Sequence, residues 1–226
     1  SVDVDRLQNA VNRLIARHES LRTHFENKDG NIIQIINDTA ECKIEILGSD
    51  DITTFIRPFD LGIVPLLRVG VYENTIMIDM HHIITDGGSM PIFLNELNEL
   101  YMGRSIENAP VQYKQFAVQK KDHTESEKYW LSVYNDEVPV LEINTDYHRG
   151  QKQSFNGSAI YDSVGIDLHN KILAFCKARN ITPYVFYMSG FNILLSKFSG
   201  NEDIVVGMPI SGRDAKYLDT IGMFVN

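Results

Sequence analysis

Two adjacent histidines, His81 and His82, are the residues of this chain best suited to chemistry, and Asp86 and Gly87 follow them closely. An imidazole gains or loses its charge near neutral pH, so it can take, give or position a proton. The β-branched residues at 75–82 predict a strand, along which successive side chains point to opposite faces. We therefore expect His82 to face a cavity while His81 packs on the other side of the strand.

Histidine and aspartate are also metal ligands, so a metal site is one alternative for this segment. We predict that Ile83 and Ile84 continue the strand and that Asp86 begins a turn, which separates the side chains of His82 and Asp86. Adjacent histidines on opposite faces chelate poorly, and the sequence offers no other His or Cys cluster as a source of a third ligand. We therefore predict no metal, and a core histidine beside a turn aspartate remains the alternative to catalysis.

A helix is predicted to begin at Ser89, directly after the histidine segment. Its apolar residues recur three and four positions apart, which gives one face for packing. These residues are Met90, Phe93, Leu94, Leu97, Leu100 and Tyr101. The first backbone N–H groups of a helix have no partner inside it, so here they lie near His82 and are suited to stabilise a developing oxyanion.

Other segments carry predictions about packing and domain organisation. Ser49 is predicted to cap a short helix that ends at Ile56. Residues 184–195 are apolar on nearly every side, which predicts a buried helix behind a cap at Thr182. Pro, Asn, Asp and Gly residues punctuate 136–153, so we expect a connector there between two lobes.

The composition is that of a globular protein: 226 residues, 43% hydrophobic and 23% charged, with a net charge of −9. An acidic chain without a long basic run is not expected to bind nucleic acid. No apolar stretch is long enough to suggest a membrane span. The two cysteines, Cys42 and Cys176, are far apart and form no pattern, so we predict free thiols and a cytoplasmic location.

Several ordered motifs carry a resemblance to a known family. Residues 81–87 resemble the His-His-x-x-x-Asp-Gly signature of condensation domains of nonribosomal peptide synthetases, and through His-x-x-x-Asp-Gly the wider superfamily of chloramphenicol acetyltransferase. Residues 17–25 match the family motif Arg-His-Glu-x-Leu-Arg-Thr-x-Phe, and 221–226 resemble its Val/Ile-Gly-x-Phe-Val-Asn segment. Residues 203–213 are also similar, whereas 113–119 depart at three positions from the family's Tyr-x-Asp-Tyr-Ala-x-Trp.

The resemblance implies an α/β fold. We expect a chloramphenicol acetyltransferase-like lobe, with a mixed sheet and flanking helices, over residues 1–140, where it carries the histidine motif. Residues 141–226 then form the start of a second, similar lobe. Such a chain covers about half of a full condensation domain, so we expect these 226 residues alone to be an incomplete enzyme.

The resemblance also implies an activity, namely formation of an amide bond between a carrier-bound acyl or peptidyl thioester and a carrier-bound aminoacyl amine. The substrates ride on phosphopantetheine arms, and no cofactor is bound directly. The implied partners are the upstream and downstream peptidyl carrier domains and a neighbouring adenylation domain. The segment 87–90 favours an L-configured donor. The alternatives are an acyltransferase that forms an ester or acetylates a small alcohol, and a non-catalytic carrier-docking module.

The resemblance assigns the catalytic motif to His82, Asp86 and Gly87. His82 removes a proton from the amine or positions it, and Asp86 holds the loop by an ion pair. Gly87 fits a backbone position that needs close approach or an unusual φ.

Other residues are expected to support this site. His81 has a structural role, and Arg17 is favoured over Arg22 as the ion-pair partner of Asp86. From the second lobe, Ser211 and Asn226 are candidate contacts to the site.

Overall fold

The computed structural model describes residues 1–48, 52–119, 122–136, 138–148, 150–152, 154 and 156–226. The chain divides into two compact units. The first combines Ser1–Lys121 with Pro209–Asn226, and the second is Asp122–Met208. The last segment of the sequence therefore belongs to the same unit as the first, and the assignment of lobes with a boundary at residue 140 stays a prediction.

The first unit alternates helices and strands. Its helices are α1 (Val4–Arg17), α2 (Ile52–Phe55), α3 (Ser89–Tyr101) and α4 (Tyr113–Ala117), and its strands are β1 (Thr23–Lys28), β2 (Asn31–Ile36), β3 (Glu45–Ile46), β4 (Leu67–Tyr72) and β5 (Thr75–Met80). Short 3₁₀ turns occur at Glu19–Arg22, His82–Ile84 and Ala215–Tyr217. Ser49, the predicted cap of α2, lies outside the described residues.

The strands form two sheets. β1 and β2 make an antiparallel hairpin, while β4 pairs in parallel with β3 and antiparallel with β5. In the β4–β5 register Arg68 lies opposite Asp79, and the two side chains form an ion pair of 2.8 Å. A mixed sheet with flanking helices confirms the predicted α/β class.

The core of the first unit lies where α1 and α3 pack beside β4. Asp3 caps α1 by accepting a hydrogen bond from the Arg6 N–H at 3.0 Å. Apolar positions spaced three and four apart along α1 bury one face, and each buried aliphatic side chain stabilises the fold by roughly 1.5–3 kcal/mol. The buried side chains are Leu7, Ala10, Val11, Leu14 and Ile15 on α1, Phe93, Leu97 and Leu100 on α3, and Leu67, Val69 and Val71 on β4.

The second unit contains α5 (Thr124–Val133), α6 (Ile166–Arg179) and α7 (Pro183–Ser199). Thr182 caps α7 as predicted, since its hydroxyl accepts a hydrogen bond from the Val185 N–H at 3.2 Å. The predicted burial of α7 is wrong, because Leu195 is its one buried residue while the Phe191 side chain is 45% exposed. An apolar surface is buried only where another element covers it, and a sequence pattern does not reveal that element. None of the described helices is both long and apolar enough to cross a lipid bilayer.

Candidate active site

A cavity of about 360 Å³ lies in the first unit, where β5 leads through a 3₁₀ turn into α3. His82 lines it and is exposed to solvent. The lining residues are Ile78, Asp79, Met80, His82, Thr85, Asp86, Gly87 and Met90. The predicted histidine, aspartate and glycine thus border one solvent-accessible space.

The local backbone differs from the predicted strand. β5 ends at Met80, and His82–Ile84 form a 3₁₀ turn, so the prediction that Ile83 and Ile84 continue the strand is wrong. His81 causes the change, because its Nδ1 accepts a hydrogen bond from the Ile83 N–H at 3.1 Å. This bond caps the turn. It satisfies the Ile83 N–H, which in a strand would donate to a neighbouring strand.

His81 itself is held on the side of β4. Its backbone N–H donates to the Leu66 carbonyl at 3.0 Å. Its ring meets that of Phe59 edge-on, with centroids 6.0 Å apart. These contacts fit a structural role, and they leave His82 as the histidine that lines the cavity.

Asp86 is 4% exposed and accepts hydrogen bonds at both carboxylate oxygens. Oδ1 accepts from the Ser89 N–H at 2.9 Å, from the Ser89 hydroxyl at 2.8 Å and from the Arg213 guanidinium. Oδ2 accepts from the Phe224 N–H at 3.0 Å. Asp86 therefore joins the start of α3 to the segment that ends the chain.

The partner of Asp86 corrects the sequence analysis. Arg213 forms the ion pair, and both side chains are nearly inaccessible to solvent. The predictions of Arg17 and Arg22 are wrong, since Arg17 donates to Glu96 on α3 at 3.0 Å and Arg22 donates to the Asn37 carbonyl. Both contacts follow from where the two arginines lie in the fold. The end of α1, which carries Arg17, packs on α3, and Arg22 directly precedes β1.

Arg213 is held by more than its charge. Its guanidinium donates to the Ser89 hydroxyl at 2.8 Å and to the carbonyls of Tyr217 and Thr220 at 3.1 Å and 2.5 Å. The same group lies over the Phe224 ring, 4.1 Å from its centroid. These bonds satisfy the two terminal nitrogens of the guanidinium, whereas Nε has no partner among the described residues. Additional hydrogen bonds of this kind offset the cost of burying an ion pair.

The pKa of Asp86 reflects this environment. Burial raises the pKa of the carboxyl, because it disfavours the charged form. The hydrogen bonds from Ser89, Arg213 and the Phe224 N–H, together with the charge of Arg213, lower it further than burial raises it. The net pKa lies below the ordinary value, so Asp86 is a carboxylate at neutral pH.

Of the two glycines that follow Asp86, Gly88 is the one with a close neighbour. A Cβ on Gly88 would lie 2.8 Å from Nε of Arg213, whereas a Cβ on Gly87 would meet no atom within 4 Å. Gly87 also has no positive φ. The predicted unusual φ at Gly87 is therefore wrong, whereas a close approach of a substrate to Gly87, which lines the cavity, stays a prediction.

Ser211 and Asn226 do not line the cavity. Both are exposed, and the backbone of Asn226 pairs with that of Ile210 through hydrogen bonds of 3.0 Å and 3.1 Å. This pairing closes the loop that carries Arg213. A contact from Ser211 or Asn226 to a substrate stays a prediction.

Sequence reasoning missed Ser89 and Arg213 as site residues. Ser89 was recognised only as a helix start, although a hydroxyl three positions after a motif aspartate is a common hydrogen-bond partner. Arg213 lies within the similar segment 203–213 but far from the histidines in sequence. Within the described parts of the chain, no three His, Cys, Asp or Glu side chains come together as a metal site requires.

Comparison with known proteins identifies the family. Residues 1–226 match the family model described as Condensation domain. The chain belongs to the condensation domain family. Among relatives of this condensation domain, gramicidin S synthase 2 of Brevibacillus brevis is 41% identical over 98% of the chain. Surfactin synthase subunit 1 of Bacillus subtilis is 37% identical over 100% of it. The chain spans 5% and 7% of the lengths of these two proteins.

Solved structures agree in fold with this condensation domain. The condensation domain of the monacolin K polyketide synthase MokA has a TM-score of 0.79 at 20% identity, over 100% of this chain and 58% of that one. The X-domain from teicoplanin biosynthesis has a TM-score of 0.82 at 21% identity, over 99% of this chain and 56% of that one. These likenesses confirm the predicted chloramphenicol acetyltransferase-like fold class, and the family match confirms the resemblance stated from the motifs.

Proposed function

We propose that this condensation domain serves a nonribosomal peptide synthetase by forming an amide between two carrier-bound substrates. One is an acyl or peptidyl thioester, and the other is an aminoacyl group with a free amine. The observation that carries the proposal is the placement of His82, an exposed imidazole on a cavity that Asp86 and Gly87 also line. The family match and the synthase relatives support the same chemistry.

The reaction needs a proton acceptor or an orienting group next to the amine. The amine nitrogen attacks the thioester carbonyl, a C–N bond forms and the C–S bond breaks. The proton lost from the amine ends on the departing sulfur, so no covalent enzyme intermediate and no redox step are required. His82 removes that proton or holds the amine for attack, and a neutral imidazole is suited to both.

The surroundings of His82 favour precise positioning. The Asp86–Ser89–Arg213 network fixes both the end of the 3₁₀ turn and the start of α3. Neither Asp86 oxygen lacks a donor, so Asp86 acts on the reaction by holding the loop. A side chain on a segment fixed in this way loses little freedom when it meets the substrate.

We infer that phosphopantetheine arms on upstream and downstream carrier domains deliver the substrates, and that an adenylation domain neighbours this one. A four-domain nonribosomal peptide synthetase is among the solved structures similar in fold, with a TM-score of 0.81. The two unpaired thiols, Cys42 and Cys176, fit a cytoplasmic location.

We also infer that residues 1–226 in isolation lack full activity. The chain spans 58% of the MokA condensation domain, and α7 exposes the apolar side chains of Tyr187, Phe191 and Leu194. Exposed apolar surface of this kind promotes association in solution. The isolated chain is expected to be oligomeric by light scattering and inactive with two loaded carriers, and an active monomer would contradict this.

The test of the proposed function is His82→Ala in a synthetase module that contains this chain. Loss of a proton-handling group reduces the rate of a chemical step by typically 10²–10⁴-fold, so single-turnover amide formation is expected to fall by that order. His123→Ala is the matched control, because His123 is an exposed histidine of the second unit.

Three results would contradict the proposal. Unchanged amide formation by His82→Ala would remove the role of that histidine. A wild-type module that transfers its acyl group to an alcohol and not to an amine would replace amide formation with ester formation. A module that binds loaded carriers without transfer would identify a docking domain.

A further inference from the structure

Thr85 differs from the other buried polar residues of the described chain. Six of them have a hydrogen-bonded side chain, for example Thr23, which donates to the Glu19 carbonyl at 2.7 Å. The six are His18, Ser20, Thr23, Asp86, Ser89 and Thr220. Thr85 is 6% exposed, and its hydroxyl has no partner among the described residues. Four other buried side-chain atoms there also lack a partner, but Thr85 is the one of these residues that lines the cavity of His82.

A buried hydroxyl without a partner opposes folding. It loses its hydrogen bonds to water and gains none, which lowers the folding equilibrium constant by roughly 5- to 150-fold. Buried polar groups in native proteins are nearly always paired, so an exception calls for an explanation such as a ligand. Valine has almost the same shape as threonine and carries no such cost.

The position of Thr85 supplies the explanation. Thr85 lies between the 3₁₀ turn that begins at His82 and the buried Asp86, and it lines the same cavity of about 360 Å³ as both. Its backbone N–H is already used by the His82 carbonyl at 3.3 Å. The hydroxyl is therefore the uncommitted hydrogen-bond donor of this residue.

We propose that Thr85 binds the acceptor substrate, with its hydroxyl hydrogen-bonded to the aminoacyl group that His82 serves. A hydroxyl both donates and accepts, so it pairs with an amine or with a carbonyl oxygen. The oxygen is shielded from solvent in the structure, so it reaches the cavity by rotation about the Cα–Cβ bond to another staggered rotamer. The identity of the substrate in this inference rests on the proposed function, whereas the choice of Thr85 rests on its unpaired hydroxyl.

The variant that tests the proposal is Thr85→Val, made in a module that contains this chain and loads its own acceptor amino acid. Its thermal midpoint is expected to equal or exceed that of the wild type, because an unpaired buried hydroxyl is removed. Affinity for the loaded acceptor carrier, measured by titration, is expected to fall on the order of 10-fold, as for loss of one neutral hydrogen bond. KM for that carrier should rise by the same order, and Thr85→Ser should restore both.

The matched control is Thr23→Val, which removes a hydroxyl that has a partner. This variant should melt at a lower temperature and bind the acceptor carrier normally. A lower melting temperature for Thr85→Val would show that the hydroxyl has a structural partner and would overturn the proposal. Unchanged affinity in Thr85→Val would overturn it as well. A wild type that binds the loaded acceptor but forms no amide would instead refute the proposed function, while the binding and melting data would still decide the role of Thr85.

Discussion

At the scale of single residues, Asp86 is the group that most of the site depends on. Its two oxygens accept four hydrogen bonds from three residues, which come from α3 and from the end of the chain. Removal of Asp86 leaves Arg213 as a buried cation without a counter-charge. Breaking a buried pair in this way costs about 3–5 kcal/mol.

Asp86→Ala is therefore expected to lose about 3–5 kcal/mol of unfolding free energy in urea denaturation. Amide formation should fall as well, because the loop that carries His82 is no longer fixed. A variant that unfolds at the wild-type urea concentration but forms no amide would point to direct chemistry by Asp86.

The low pKa of Asp86 predicts a pH dependence with a definite sign. A depressed pKa means that the folded state favours the carboxylate, so its contribution to stability is complete above the unfolded value of about 4 and is lost as the pH falls through the folded value. The stability difference between wild type and Asp86→Asn is thus expected to be largest near neutral pH and to shrink in acid. A difference that stays constant down to pH 2 would contradict an ionised Asp86.

The neighbouring glycines give a second test at this scale. Gly88→Ala places a methyl group against Arg213, so it should lower the melting temperature and weaken the ion pair with Asp86. Gly87→Ala should melt like the wild type, because its Cβ has free space. Loss of activity in Gly87→Ala without loss of stability would locate the substrate beside that position, and equal destabilisation by both changes would refute the distinction.

At the scale of elements, the partly buried carboxylate of Glu96 joins α1 to α3. Glu96 accepts a hydrogen bond from Nε of Arg17 at 3.0 Å, and its carboxylate lies 2.7 Å from Nε2 of His18. Arg17 is the last residue of α1, and His18 follows it. Burial raises the pKa of Glu96, but the hydrogen bonds and charges of His18 and Arg17 lower it below its ordinary value. The carboxylate therefore stabilises the packing of the two helices at neutral pH.

Glu96→Gln is expected to lose roughly 1.5–3 kcal/mol in urea denaturation, because the partly buried Arg17 loses a charged hydrogen-bond acceptor. Glu99→Gln, on the same helix, is the control. Glu99 pairs with Arg104 at the surface, where water and salt screen the two charges, so its loss should change stability little. Equal effects of the two changes would show that the Glu96–Arg17 pair contributes no more to stability than a surface pair.

The elements that the sequence predicts best are those with strong local signals. The Ser89 stripe predicts α3 and the Thr182 cap predicts the start of α7, and both are found. The strand through Ile84 fails because the side chain of His81 competes for a backbone donor, which periodicity does not detect. The predicted burial of α7 fails because burial depends on partners elsewhere in space.

The same limit applies to the candidate site. His82 and Asp86 lie four positions apart in one short motif and are recognised together. Arg213 lies 127 residues from Asp86, so only the fold reveals the pair. No sequence pattern predicts the unpaired hydroxyl of Thr85, because pairing depends on which groups the fold places beside it.

At the scale of the whole molecule, the first unit is completed by the end of the chain. Tyr217, Ile221 and Phe224 are each at most 2% exposed, and the Ser20 hydroxyl donates to the Ile221 carbonyl at 2.7 Å. Loss of a buried aromatic side chain alone costs about 3–5 kcal/mol. The segment 209–226 is thus part of the hydrophobic core of that unit.

A chain that ends at Met208 is therefore expected to lose the cooperative unfolding of residues 1–121. Limited proteolysis should cut within those residues far faster than in the full chain. Phe224→Ala in the full chain is a milder variant, expected to lower stability without exposing the whole unit. A truncated chain with the protease resistance of the full chain would show that residues 1–121 fold alone.

The separation of Asp86 from Arg213 has a consequence for synthesis on the ribosome. The carboxylate is made 127 residues before its counter-ion. At roughly 5–20 residues per second, that interval is roughly 6–25 s. During this time the nascent chain holds an apolar core that lacks its last strip of aromatic residues, while residues 122–208 are still being made. Until the segment that carries Arg213 is made, this apolar surface stays uncovered, and incompletely folded chains of this kind tend to aggregate.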